Sequence, residues 1–289
     1  MDSRIVSLDA SDWRSPGSDP AWIAAVEDGK VLYFPRMEFG LSREEQALLS
    51  PALLAEGVRN ISWGRERGLK GVAGGEPVQH AVRALMERFV GQATALVHGL
   101  FPAYAPHLRI APASLRPVQV SQRKQSVRAD DRRLHVDAFP SRPNRGERIL
   151  RVFTNVNPEG EPRVWRVGEP FVDVARHFLP LAKPYSAWQA RLLRSLRITK
   201  SLRSEYDHLM LQIHDRMKGD ERYQREAPQV TMPFPTGSCW VCFSDQAVHA
   251  AMSGQHMMEQ TWHLPVARQY NPDMSPLAIL GRLAGRPLI

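Results

Sequence analysis

Only two cysteines occur in 289 residues, Cys239 and Cys242, so the chain can build neither a disulfide scaffold nor a four-cysteine zinc site. Their spacing is CxxC, but they sit in Ser238-Cys239-Trp240-Val241-Cys242-Phe243, which alternates as a strand does and points the two thiols to opposite faces. Reduced, packed thiols and a reducing compartment are expected. No run approaches the roughly eighteen apolar residues of a membrane-spanning helix. The first residues, with Asp9, Asp12 and Trp13, show neither the basic start nor the apolar stretch of a secretory signal. A cytosolic protein is therefore expected, and any membrane contact must be peripheral. No internal repeat is visible, which argues against solenoids and propellers.

The chain does have apolar residues (43%) and charges (24%) in the proportions of a globular protein that buries one sizeable core. Lys and Arg number 38 against 30 Asp and Glu, a formal net charge of +8, which favours acidic partners such as phosphates, anionic lipids or nucleic acid. Basic residues interleaved with aromatics, the platform on which bases stack, are not found, so nucleic acid is not expected.

Along the chain, residues 30–36 read as a strand, and Ser42 followed by Glu45 is a capping-box signature. From Val78 to Phe101 apolar residues, among them Val82, Leu85, Phe89, Val90 and Leu96, recur at helical spacing. Past Pro112 the character changes to short β-rich runs: Leu115 to Ser121, Ile149 to Val156 and Val164 to Val167. A helical pattern returns between Phe171 and Arg225, and strands resume at Cys239 to Phe243, Ala247 to Met252 and Met257 to Leu264. The pattern predicts one mainly β domain over residues 1–289, with flanking helices. Its barrel would occupy about 112–170 and 226–268, with a supporting segment over 1–111 and a helical insertion over about 171–225. Residues 271–289, punctuated by Pro and Gly, read as a partly ordered tail.

The chemistry-bearing candidate is Leu134-His135-Val136-Asp137-Ala138-Phe139. Strand alternation puts His135 and Asp137 on one face, about 7 Å apart along the chain, so both can reach one cation. A later histidine would complete a two-histidine, one-carboxylate triad with positions open for a bidentate oxoacid and dioxygen, as in non-haem iron(II) oxygenases. An HxD is unspecific by itself, but here it precedes a Pro-rich turn and the strand from Arg148 to Val156. His177, His208 and His214 lie in the helical block, where a lone histidine is ordinarily structural. His249 follows the Trp240 strand and the Ser244-Asp245 turn, matches a hairpin within a barrel, and is the preferred third ligand, with His256 and His263 as alternatives.

These residues carry a resemblance. The stretches 29–36 (GKVLYFPR), 133–143 (RLHVDAFPSRP), 148–158 (RILRVFTNVNP) and 162–170 (PRVWRVGEP) resemble the Kdo hydroxylase family, which acts on 3-deoxy-D-manno-oct-2-ulosonic acid (Kdo) of the lipopolysaccharide inner core. The resemblance implies a double-stranded β-helix of the jelly-roll, cupin-like kind, with Fe(II), 2-oxoglutarate and O2 as cofactor and cosubstrates. It also implies hydroxylation at C3 of Kdo on a Kdo-containing lipid A precursor, with release of succinate and CO2.

Many related barrels anchor the cosubstrate's 5-carboxylate with an Arg or Lys about ten residues after the distal histidine, where this chain has Glu259 and Gln260. The anchor is therefore sought on the strand after the HxD, where Arg151 and Asn155 share a face by period two and Arg151 offers a bidentate partner, with Gln260 as a further contact. Arg191, Arg194, Arg197, Lys200 and Arg203 recur every third residue and would wind around a helix. Arg194, Arg197 and Lys200 are expected to hold lipid phosphates and the Kdo carboxylate and to draw the protein to the anionic inner membrane. Arg142, Arg145 and Arg148, nearer the HxD, are further candidate anion contacts. Two competing readings stand: a 2-oxoglutarate oxygenase acting on nucleic acid, and a non-catalytic barrel binding an anionic glycan or lipid.

Overall fold

The computed structural model describes residues 3–122 and 125–289. The chain opens with β1 (Ile5–Ser7), α1 (Pro20–Glu27), β2 (Val31–Phe34), α2 (Arg43–Ala47), β3 (Ile61–Gly64) and β4 (Gly68–Lys70). The long α3 (Glu76–Leu100) follows, then β5 (Arg109–Ile110), β6 (Ala113–Arg116), β7 (Arg148–Asn155) and β8 (Arg163–Gly168). Four helices come next: α4 (Phe171–Phe178), α5 (Ala187–Ser195), α6 (Glu205–Gly219) and α7 (Glu221–Glu226). The chain ends in β9 (Gln229–Phe234), β10 (Cys239–Phe243), β11 (His249–Ser253), β12 (Met257–Leu264) and α8 (Pro276–Ala284).

Nine strands form a major sheet in the order β1-β2-β10-β7-β12-β6-β3-β4, with β5 also on β12, and three form a minor sheet in the order β11-β8-β9. The two sheets face each other as a double-stranded β-helix. Strand alternation sorts the side chains of the major sheet into two sets. Leu150 and Val152 of β7, Cys239 and Val241 of β10, and Met258 and Trp262 of β12 pack outward against α3. Phe153, Trp240, Cys242 and Met257 point inward to meet Trp165 and Phe234 of the minor sheet. The two thiols thus enter different cores, and both are free and buried. A third core lies on the far side of the minor sheet, where Leu134, Val136, Val248 and Ala250 meet Phe178 of α4, Ile213 of α6 and Leu280 of α8.

Helix α3 follows the apolar period read from the sequence, burying Val82, Leu85, Phe89 and Leu96. Residues 271–289 do not form the expected loose tail. Their Pro and Gly are a helix start and stop: Ser275 caps α8, Pro276 sits in its first turn, and Gly285 takes φ +67° at its end. Packing of Ile279, Leu280 and Leu288 fixes the segment on α4 and α6.

Between β10 and β11 the expected hairpin is absent, because β11 crosses to the other sheet. Arg148 makes that bend. Fully buried, it donates from Nε to Asp245 Oδ2 (2.7 Å) and from Nη2 to Gln246 Oε1 (2.6 Å), with its guanidinium 3.9 Å above the Phe243 ring. Asp245 also accepts from the Ile149 amide. Arg148→Met should therefore leave the Asp245 carboxylate buried without its cation and cost about 3–5 kcal/mol in urea denaturation. A loss below about 1 kcal/mol would mean that the bend holds without the ion pair.

Candidate metal centre

The segment containing His135 is extended, but it is not a regular strand. One antiparallel bridge joins His135 to His249, each amide donating to the other's carbonyl (3.0 and 2.9 Å). The Asp137 amide donates to Ser244 O (2.8 Å), and the Ala251 amide to Asp131 O (2.8 Å), so residues 131–137 run beside the bend and β11. Alternation then acts on both segments together: Leu134 and Val136, with Val248 and Ala250, enter the helical core, and His135, Asp137 and His249 face the space between the sheets. Potential ligand atoms of these three lie within 4.8 Å of one another. Among the described residues no other group of three His, Cys, Asp or Glu side chains is placed to share an ion.

The ring orientations suit metal binding. His135 Nδ1 lies 2.7 Å from Arg133 O and His249 Nδ1 2.8 Å from Ala247 O. A carbonyl can only accept, so both Nδ1 atoms carry the proton and both Nε2 lone pairs are free. Burial, ahead of other causes, pushes both imidazoles below their ordinary pKa and keeps them neutral. Burial alone would raise the Asp137 carboxyl. The Arg151 guanidinium instead holds it well below the usual carboxylate range. Asp137 Oδ2 is buried without a hydrogen bond, 3.3 Å from Arg151 Nη2. Two neutral imidazole donors and an ionised carboxylate with a spare oxygen fit a divalent transition metal such as iron(II).

Neighbouring groups hold these three side chains in place. Trp165 of β8 stacks on His249 (centroids 4.9 Å apart, planes 21°), and His214 of α6 meets His135 edge-on at 5.6 Å while its own Nδ1 bonds Asp215 at 2.9 Å. Gln224 of α7 serves as a strand partner for Leu134. Its Oε1 accepts from the Leu134 amide (2.8 Å), and its Nε2 donates to Leu134 O (3.0 Å). Gly168 lets β8 approach closely, since a Cβ there would meet Val248 Cγ1 at 2.4 Å. The sequence pattern had no signal for Gln224, whose function is a contact across 90 residues.

On the inner face of the major sheet, charges of alternating sign lead to the centre. Glu259 of β12 lies between Arg116 of β6 (2.8 Å) and Arg151 of β7 (3.8 Å), and Arg116 also faces Asp131 (3.8 Å). The place where sequence reasoning looked for a cation thus holds an acid flanked by two arginines from neighbouring strands. Arg116 was missed because it reaches Glu259 only through the pairing of β6 with β12, which local periodicity does not reveal.

The remaining candidates separate. Gln260 does not reach the site: alternation turns it to the outer side of β12, where Nε2 donates to Ala111 O and Thr261 O (both 2.7 Å). Asn155 is occupied by the turn after β7, donating to Glu161 O and Phe234 O and accepting from the Asn157 amide. Arg148 is buried in the bend and is not an anion contact. Arg142 is exposed and lines a cleft with Asp137, Phe139, Asn144, Tyr206 and Met210. Arg145 is exposed beside it, in the left-handed region at φ +53°. Arg194, Arg197 and Lys200 do not wind along one helix. Helix α5 ends at Ser195, and Arg197 takes φ +57°, so only Arg194 of the three is helical. His263 and His256 remain outside the triad.

The chain is similar to known proteins. A family model described as 3-deoxy-D-manno-oct-2-ulosonic acid (Kdo) hydroxylase matches residues 10–287. The Kdo hydroxylase KdoO, described as a non-haem Fe(II) α-ketoglutarate-dependent dioxygenase, was solved with cobalt(II). It is 43% identical, with a TM-score of 0.96 over 99% of this chain and 98% of that one. Its complex with α-ketoglutarate and Fe(III) is also 43% identical, with a TM-score of 0.94 over 99% and 97% of the two chains. Comparison with curated proteins finds no match.

Gln224→Leu, close in volume, removes both bonds to Leu134. It should destabilise the fold by about 1–3 kcal/mol and weaken cobalt(II) binding about tenfold or more, read by thermal melting and calorimetric titration. Undiminished cobalt(II) affinity would mean that Gln224 does not place His135.

Proposed function

The chain belongs to the Kdo hydroxylase family, and on that premise we propose that it hydroxylates C3 of Kdo on a lipid A precursor, with His135, Asp137 and His249 holding the iron. It is an Fe(II)- and 2-oxoglutarate-dependent dioxygenase that consumes O2. One observation supports the ligand assignment above others: two imidazoles with free Nε2 atoms and an ionised carboxylate converge on the space between the sheets.

When bound, the iron couples oxidative decarboxylation of 2-oxoglutarate, giving succinate and CO2, to insertion of one oxygen atom into a substrate C–H bond. His135, Asp137 and His249 would together contribute a single negative charge to a bound divalent ion, whose remaining positive charge would suit an anionic oxoacid cosubstrate. Arg151, with Arg116 behind it, receives the 5-carboxylate. Glu259, set between the two guanidinium groups, holds both of them toward the incoming dianion. Trp165 and Phe139 line the surroundings with apolar surface and keep bulk water from the reacting atoms.

Arg142, exposed in the cleft beside Asp137, takes the Kdo carboxylate. Arg145, Arg194, Arg197 and Lys200 face solvent, where they meet lipid A phosphates and the anionic inner membrane from the cytoplasmic side. No helix among the described residues is long and apolar enough to cross a membrane.

His135→Ala, Asp137→Ala and His249→Ala should each abolish O2-dependent succinate formation while leaving a folded protein. Ordinary turnover in any one removes that residue from the triad. In the wild type, succinate formation should be stimulated by Kdo-bearing lipid A precursors, with one oxygen added to Kdo by mass spectrometry. Greater stimulation by methylated DNA or RNA would overturn the substrate.

Arg151→Gln should raise KM for 2-oxoglutarate about tenfold or more, the loss of a charge-assisted bond worth about 1.5–3 kcal/mol. An unchanged KM would move the 5-carboxylate elsewhere.

A further inference from the structure

Between Val174 and Ser204 the chain has no Asp or Glu and seven Lys or Arg, against one acid in about every ten residues overall. The same stretch gathers exposed apolar side chains. Of twelve large hydrophobics exposed among the described residues, five fall between 181 and 198: Leu181, Trp188, Leu192, Leu196 and Ile198. Trp188 is 71% exposed, Leu196 60% and Ile198 55%. Trp188 and Leu192 are four residues apart and share a face of α5, opposite the buried Ala190, which seats the helix on the protein. Beyond Ser195 the chain turns through left-handed Arg197 and presents Leu196 and Ile198 as well.

This projection is tied to the metal centre. The Lys200 amide donates to Ser141 O (3.0 Å), Ser201 Oγ to Pro143 O (3.3 Å) and Arg203 Nη2 to Pro140 O (2.7 Å). Those three carbonyls belong to the loop directly after the HxD, which carries Phe139 and Arg142 into the cleft beside Asp137.

We propose that Trp188, Leu192, Leu196 and Ile198 form an insertion ridge, bordered by Arg191, Arg194, Arg197 and Lys200, that docks the protein on an anionic lipid bilayer with the cleft beside Asp137 at the membrane. Apolar side chains enter the acyl boundary, Trp188 sits at the interface, and the cations engage lipid phosphates. Combining the two signals gives stable attachment where either alone is marginal. Free phosphate would use the cations and leave the ridge bare. A second copy meeting this face by two-fold symmetry would set one acid-free basic patch against another. The purpose of docking rests on the lipid-borne substrate proposed above, but the docking itself is tested separately.

The iron-loaded full chain is sedimented with phosphatidylcholine vesicles, with and without phosphatidylglycerol. Wild type should partition to the anionic vesicles, less as salt rises, and bind neutral ones more weakly. The triple variant Trp188→Ser, Leu196→Ser, Ile198→Ser should lose tenfold or more of that partition and keep wild-type melting behaviour and its turnover on a soluble Kdo sugar. The triple variant Arg194→Glu, Arg197→Glu, Lys200→Glu should lose a similar factor and most of the salt dependence. Equal partition of the apolar variant and wild type overturns the proposal, as does displacement of wild type from vesicles by millimolar inorganic phosphate. A concentration-dependent dimer lost in the apolar variant also overturns it, assigning the ridge to a second copy. Vesicle binding as described without turnover on any Kdo sugar would keep the docking and reject the substrate.

Discussion

The site depends on the pair of hydrogen bonds between the backbones of His135 and His249. Each bond contributes only about 1 kcal/mol net, but together they set two segments distant in sequence in register. Because alternation is strict, that register decides which side chains on both segments face the centre. A slip by one residue would send Leu134, Val136 and Val248 into the polar space and the imidazoles into the helical core. The supporting contacts guard this register. Gln224 holds Leu134, the Arg148–Asp245 pair fixes the bend before His249, Trp165 stacks on its ring, and Gly168 admits the close approach of β8.

A second constraint is the cost of burying charge. Asp131, Arg116, Glu259, Arg151 and Asp137 alternate in sign from β6 across β12 and β7 to the centre, so each buried charge has a neighbour of opposite sign. The chain of ion pairs does more than offset desolvation. It keeps Asp137 ionised and holds two guanidinium groups on the inner face of the major sheet beside it. Lys218 of α6, buried and with its pKa lowered first by that burial, brings a further positive charge close behind.

The helices between β8 and β9 have two functions on opposite surfaces. Their inner side, through His214, Lys218 and Gln224, closes over the group of His135, Asp137 and His249. Their outer side carries the basic and apolar projection, and the loop after the HxD connects the two. Three carbonyls of that loop accept hydrogen bonds from the projection, one from the Lys200 amide and two from the side chains of Ser201 and Arg203.

Local periodicity determined much of this protein from sequence alone: α3 with its buried stripe, the strands β7, β8, β10 and β12, the opposite orientation of Cys239 and Cys242, and the shared face of His135 and Asp137. These depend on geometry within a few residues, which the chain encodes directly. Periodicity failed where the same signal had two meanings. Pro and Gly after residue 271 read as disorder but cap a docked helix, and the three-residue spacing of Arg191 to Arg203 concealed a helix end at Ser195. The strand pattern singles out His249 and Arg151, and His249 does lie with His135 and Asp137; only the tertiary structure set Arg116 on the other side of Glu259, turned Gln260 outward, used up Asn155 in a turn and buried Arg148 against Asp245. Alternation fixes faces within one strand. Which face looks into the site is decided by pairing between strands distant in sequence, and that pairing is set by the packing of the whole barrel.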